Sequence, residues 1–410
     1  MERPHRPRPD RLGFTLVELL VAILIIGALL GILLPTVFAA FRKAREATVS
    51  AEMNNLATAL ASFKNAYGDY PPSRIILSEE GFTATLARTE FTTATVIPGA
   101  DSSDTDMTYY QLAQRSLTYL QKFWPRADFR GNPGTSPLPG QFNDFNGDRV
   151  MGDPVNPNKG YYIINGSECL TFFLGGIPIY DSSGKVTGLS GFSKSPTHPF
   201  VDSGPIKGSS NLYAPNRTVP NFEFNNGRLQ DQDKDHIPSY LDPLDQTPGS
   251  HRSYAYFSAY GTNQYDPNDV NGYGYDDINN PNNLTFEKED DDTTFVERGF
   301  SVFFPTSSGS PYYAKSPAPN PYTSGAAALA STGAGATGAI SWYNPNSFQL
   351  LSSGQDRLWG LGGTYLQSNS GGSRLPLDST DPGLVHSTDT ASIRQRETDN
   401  ITNFSAGRLE

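Results

Sequence analysis

Two groups of residues have types and spacings that point to chemistry. Glu18 is the only charged residue in the apolar run 13–41, GFTLVELLVAILIIGALLGILLPTVFAAF. Asp231, Asp233, Asp235, Ser239 and Asp242 stand at positions 1, 3, 5, 9 and 12 of DQDKDHIPSYLD. A carboxylate beside hydrocarbon costs on the order of 2.5 kcal/mol or more, so Glu18 calls for a cationic partner. The alternating carboxylates have the spacing by which a loop wraps oxygen ligands around Ca²⁺, a hard cation that takes 6–8 oxygens; Ile237 falls at the seventh, backbone-ligand place. The competing reading of that loop is a solvated acidic turn.

Asp144, Asn146 and Asp148, with Asp153 beyond, form a weaker version, DFNGDRVMGD. It has nothing acidic at position 12, so calcium and acidic turn stand level there. In the stronger loop His236 replaces the usual Gly at position 6 and Asp242 replaces the bidentate Glu. The stronger loop resembles the DxDxD repeats of thrombospondin type 3 and EF-like loops without flanking helices. Catalysis finds little support. His5, His198, His236, His251 and His386 show no metal-ligand spacing, and there is neither a G-x-S-x-G elbow nor a Gly-rich phosphate loop. The chain reads as a non-enzyme.

The element that positions Glu18 must enter a membrane. After it come 23 residues without a charge, Leu19 to Phe41, and a helix needs roughly 20 to cross a bilayer core. Gly13 precedes Phe14, and Glu18 lies one helical turn further along the same face. A cut after Gly13 would create an α-amino group on Phe14, the cation Glu18 requires, best placed for a neighbouring subunit. These residues resemble the type IV pilin and pseudopilin family, with Thr15, Leu16, Val17, Leu19 and Leu20 filling the pattern around Gly13, Phe14 and Glu18. The resemblance implies a prepilin peptidase that cuts after Gly13 and methylates Phe14, and other pilin or pseudopilin subunits as filament partners. It also implies a single-pass protein of the inner membrane with its body outside the cytoplasm. An ordinary secretory signal is the alternative, but its apolar region runs about 7–15 residues.

Net charge is −11 over 410 residues. Residues 1–13 carry four Arg against Glu2 and Asp10, so their removal leaves −13. Such a chain repels a phosphate backbone, and no nucleic-acid partner is expected. The lone Cys169 forms no intramolecular disulfide, which leaves calcium as the candidate staple of an exported body.

Met53, Leu56, Leu60, Phe63 and Tyr67 recur at spacings of three and four, so the helix continues as an amphipathic rod until Gly68 and Pro71-Pro72 stop it. From Phe14 that is about 80 Å. Pro35 should kink or loosen it. Gly27 and Gly31 permit close helix approach or are simply tolerated. Residues 13–72 resemble the major pseudopilin of type II secretion systems. So does SFQLLSSGQDRLWG followed by TDNITNFS, where the resemblance implies a calcium loop using Asp356 and, more remotely, Asp399.

Further on, 106–123 and 167–174 read as helices, and 161–164, 254–259, 300–304, 339–343 and 347–352 as strands. Residues 261–294 and 306–338 read as surface loops. The expected architecture is α+β, a long helix on an antiparallel sheet with large loop insertions. Its segments are a leader (1–13), a membrane and assembly helix (14–41), an amphipathic continuation (42–72) and an extracytoplasmic body (73–410). The functional expectation is a pseudopilin-like filament subunit of a secretion or pilus system. The alternative is a membrane-anchored calcium-binding or adhesive protein that does not polymerise.

Overall fold

The computed structural model describes residues 16–92, 109–131, 142–148, 150–152, 160–200, 216–231, 235–244, 253–260, 265, 269, 299–302, 312–315, 320–324, 341–356, 362–367, 374–375 and 396–409. Its first element, α1 (Leu16–Tyr67), runs unbroken across Pro35. The hydroxyl of Thr36 donates to the Leu33 carbonyl at 2.7 Å in that turn. The helix ends where Gly68 adopts φ +84° and its N–H bonds the Lys64 carbonyl at 2.7 Å, a left-handed cap only glycine takes without cost.

The chain divides into two compact units, Met1–Ala47 and Thr48–Glu410. In the first, the large apolar side chains of α1 from Leu16 to Phe41 are exposed. In the second, Val49, Met53, Leu56, Ala59, Leu60 and Phe63 of the same helix are buried, as the three-four spacing requires.

The second unit continues with β1 (Arg74–Ser78), α2 (Phe82–Leu86), α3 (Thr89–Thr92), α4 (Tyr109–Phe123), β2 (Tyr161–Asn165) and α5 (Gly166–Gly175). Then come β3 (Pro178–Tyr180), β4 (Val186–Leu189), β5 (Leu229–Gln230), β6 (Ser239–Tyr240), β7 (Ala255–Ser258), β8 (Gly299–Val302), β9 (Tyr312–Lys315) and β10 (Asn320–Thr323). The last strands are β11 (Phe348–Ser352), β12 (Gly362–Thr364) and β13 (Ile401–Thr402). Helices and mostly antiparallel strands mix, so the class is α+β.

The sheet is not single. Strands β13, β11 and β7 make a three-stranded antiparallel sheet; β1 with β2, β3 with β4, β5 with β6 and β8 with β9 pair antiparallel; β10 and β12 pair in parallel. The amphipathic part of α1 meets aromatic side chains of α4 and α5. Phe63 packs edge-on to Phe123 and Phe173 with centroids 5.2 and 5.8 Å apart, and Tyr67 meets Trp124 at 5.8 Å. Such ring pairs add about 0.5–1.5 kcal/mol each to the area they bury.

Three expectations need correction. Within 339–343 the described residues form no strand, only a bridge from Trp342 to Thr323; Asn344 follows at φ +50° and turns the chain away. The stretch 306–338 holds two strands, β9 and β10, which exist because β8 and β12 pair with them and not because of any local periodicity. Within 261–294, Tyr265 and Asp269 are buried, so this stretch contributes to the interior at those points. Cys169 is a buried core residue as expected, and burial raises its thiol pKa well above the usual value.

Candidate functional site

Gly13 and Phe14 lie outside the described residues. Glu18 stands in the first turn of α1, on a helix whose following 18-residue window is apolar enough to cross a membrane. Around Gly27 and Gly31 an added Cβ would meet nothing within 4 Å, so within this unit the two glycines present open backbone.

The two acidic loops come together in the body. Asn146 donates its side-chain amide to the Asp235 carbonyl at 3.3 Å, and His236 Nδ1 lies 3.5 Å from Asp148 Oδ2. Each loop is wound by its own side-chain oxygens. Asp144 accepts from the Gly147 N–H at 2.8 Å, Asn146 from the Asp148 N–H at 3.1 Å and Asp148 from the Val150 N–H at 2.7 Å. In the second loop Asp231 accepts from the His236 N–H at 3.2 Å, and Asp235 from the Ile237 N–H at 2.6 Å. His236 sits at φ +69°, a strained conformation for a residue with a Cβ. It occupies the sixth position, where a calcium loop ordinarily turns sharply on Gly. Ile237 and Ser239 are buried, and Asp233 lies outside the described residues.

At the first loop the structure supplies what local spacing lacked, an acidic group from elsewhere. Glu79, at the end of β1, is wholly buried and accepts the N–H groups of Phe145 at 3.1 Å and Gly152 at 2.9 Å. The Tyr162 hydroxyl donates at 3.2 Å to Oε2, the oxygen that also accepts from Gly152. Burial first, and then the Asp144 carboxylate, push the Glu79 pKa well above the usual carboxylate range, against the two backbone donors. Nothing in the local sequence RIILSEEG signals this role, because the loop reaches Glu79 only through the pairing of β1 with β2.

Asp242, expected as the twelfth-position ligand, faces other groups. Its Oδ1 accepts from the Leu244 N–H at 2.8 Å, while Ser352, Arg228 and Glu52 are the polar groups that act on it. Burial pushes its pKa up to about 6. Its Oδ2 has no hydrogen-bond partner among the described residues. Loop closure therefore places it beside Ser352 of β11 and within reach of the charges of Arg228 and Glu52. Among the described residues no three His, Cys, Asp or Glu side chains form a metal-holding group.

The C-terminal pair is joined although some 40 residues separate it in sequence. Asp399 Oδ2 accepts the N–H groups of Gln355 at 2.6 Å and Asp356 at 2.9 Å. Asp399 Oδ1 and the Oδ1 of fully buried Asn400 have no hydrogen-bond partner among the described residues. Gly354 at φ +74° lets the loop close, since a Cβ there would stand 2.5 Å from Asp399 Oδ1. Burial raises the Asp399 pKa, against those two backbone donors. The Arg408 guanidinium also acts on the Asp399 carboxylate and favours its charged form.

A family model described as the prokaryotic N-terminal methylation motif matches residues 8–34. No curated protein and no solved structure matches the chain. The motif match spans Gly13, Phe14 and Glu18 and supports a type IV pilin-like precursor anchored through its N-terminal apolar helix.

Proposed function

We propose that the chain is a pseudopilin-like filament subunit of a type II secretion or type IV pilus-like system. Prepilin peptidase removes residues 1–13, Phe14 is N-methylated, and the helix packs with those of other subunits while the body lies outside the cytoplasm. One observation carries this reading: a methylation motif at residues 8–34 runs into a helix of 52 residues that is apolar and exposed in its first part and buried on one face in its second. In such a subunit Glu18 offers its carboxylate to the Phe14 amine of a neighbour, which offsets the cost of placing either charge in hydrocarbon. No residue is assigned a catalytic role.

Calcium is proposed as a structural ligand of the body. Asp231, Asp235 and the Ile237 carbonyl would hold it in the 231–242 loop. Asp356 and Asp399 would hold it near the C-terminus, where the orphaned oxygens of Asp399 and Asn400 support the assignment. When bound it would neutralise clustered carboxylates.

N-terminal mass spectrometry of the protein extracted from its own membranes tests the main reading. The expected terminus is N-methylated Phe14. A chain beginning at Ala40 or retaining Met1 would overturn it.

A further inference from the structure

The apolar run ends on a stripe with two kinds of chemistry. Leu34, Phe38 and Phe41 are 50, 61 and 62% exposed and, with Pro35, line a shallow groove on α1 whose other end is formed by Arg42 and Arg45. Steps of four, three, one and three residues keep these side chains on one side of the helix. Grease lies at the bottom of the stripe and guanidinium at the top.

Depth places the two ends. The uncharged stretch from Leu19 to Phe41 rises about 34 Å at 1.5 Å per residue, close to the roughly 30 Å of a hydrocarbon core. With Leu19 at the cytoplasmic edge, Arg42, Lys43 and Arg45 arrive at the opposite headgroup layer. Cations are disfavoured on the exported side of a membrane protein. Even with Glu46 counted, residues 42–46 carry a net charge of +2. That net positive charge attracts anionic groups at the headgroup plane.

We propose that this stripe binds an anionic phospholipid of the outer leaflet, one acyl chain along Leu34, Phe38 and Phe41 and the headgroup phosphate between Arg42 and Arg45. The guanidinium fork matches a phosphate in a way a Lys point charge does not. Lys43 lies about 100° round the helix from Arg42 and contributes only general attraction. The site rests on membrane insertion of α1 and not on polymerisation, so it can fail while the processed Phe14 terminus is found, and the reverse.

The test uses the full chain, purified in mild detergent and mixed with equal amounts of phosphatidylglycerol and phosphatidylcholine, with bound lipid read by native mass spectrometry. The native chain should retain phosphatidylglycerol preferentially. Arg42→Gln with Arg45→Gln should weaken that retention roughly thirtyfold, taking each near-surface cation at its usual worth. Arg42→Lys with Arg45→Lys should fall between, and Lys43→Gln should lose about fivefold or less. Equal retention of both lipids, or unchanged retention in the Gln double variant, overturns the site. Displacement by inorganic phosphate would show an anion site without lipid selectivity and also overturns it. If the Gln double variant keeps the lipid but loses cross-linking between subunits, the cations serve a second copy of the chain and the proposal fails.

Discussion

Glu52, on α1, receives Nη1 of Arg228 at 3.0 and 2.9 Å on its two oxygens, across 176 residues of sequence. The Tyr240 hydroxyl donates to the same carboxylate at 2.5 Å and Tyr254 approaches it at 3.3 Å. The guanidinium is completed by the Leu241 carbonyl, 2.9 Å from Nε and 2.6 Å from Nη2. Both side chains of the pair are about nine-tenths buried, at 14 and 13% exposure.

Because so little water reaches it, removing either partner strands the other. Arg228→Ala is expected to destabilise the body by about 3 kcal/mol, and Glu52→Ala by a similar amount. Replacing both at once should cost less than the sum, since neither charge is then left alone. Urea unfolding of a fragment starting at Thr48 measures this. An additive double variant would remove the pair from the account of how α1 is held.

Asp242 makes stability depend on pH with an unusual sign. Its pKa rises from 3.8 to about 6 on folding, so the folded state holds the proton more tightly than the unfolded one. The stabilising contribution is complete below about pH 4 and is lost as the pH rises through about 6. Glu79 and Asp399, whose pKa values burial also raises, act in the same direction. Asp242→Asn should therefore raise stability above about pH 6, by about 3 kcal/mol at most, and flatten the profile between about pH 4 and 6. Chemical denaturation across this range in chelator is the measurement. A native profile that rises with pH would contradict the sign.

Calcium binding should appear as a melting shift. A ligand bound only by the folded state contributes about 2.7 kcal/mol at one hundred times its Kd. The fragment from Thr48 should melt several degrees lower in chelator. Asp231→Ala with Asp233→Ala should remove most of the shift from that loop and Asp399→Ala the C-terminal part, with Asp144→Ala doing less. A melting temperature indifferent to chelator returns all these loops to solvated acidic turns.

Glu18→Ala separates a filament subunit from a lone anchor. The substitution makes the helix more apolar, so membrane localisation should survive. Incorporation into multimers should fail, because the Phe14 amine of a neighbour loses its counter-charge. Cross-linking of the variant to the same extent as the native chain would refute the pairing.

By itself the sequence determined the elements whose information is local. Twenty-three uncharged residues after Glu18 specify a helix long and apolar enough to cross a membrane, and the Met53, Leu56, Leu60, Phe63 spacing specifies which side of its continuation is buried. Gly68 and Pro71-Pro72 specify where it stops. The methylation motif was legible for the same reason, since a peptidase must read it from consecutive residues.

Tertiary structure alone decided which distant groups share an environment. Asp242 stands in register with Asp231 along the chain, yet the fold turns it towards Ser352, Arg228 and Glu52. Glu79 carries no local mark and becomes the buried acid of the 144–152 loop because β1 pairs with β2. Asp356 and Asp399 meet through hydrogen bonds that close across more than 40 residues. Strands of two to five residues hold too little periodicity to announce themselves, and a buried carboxylate takes its pKa from neighbours that only folding brings near.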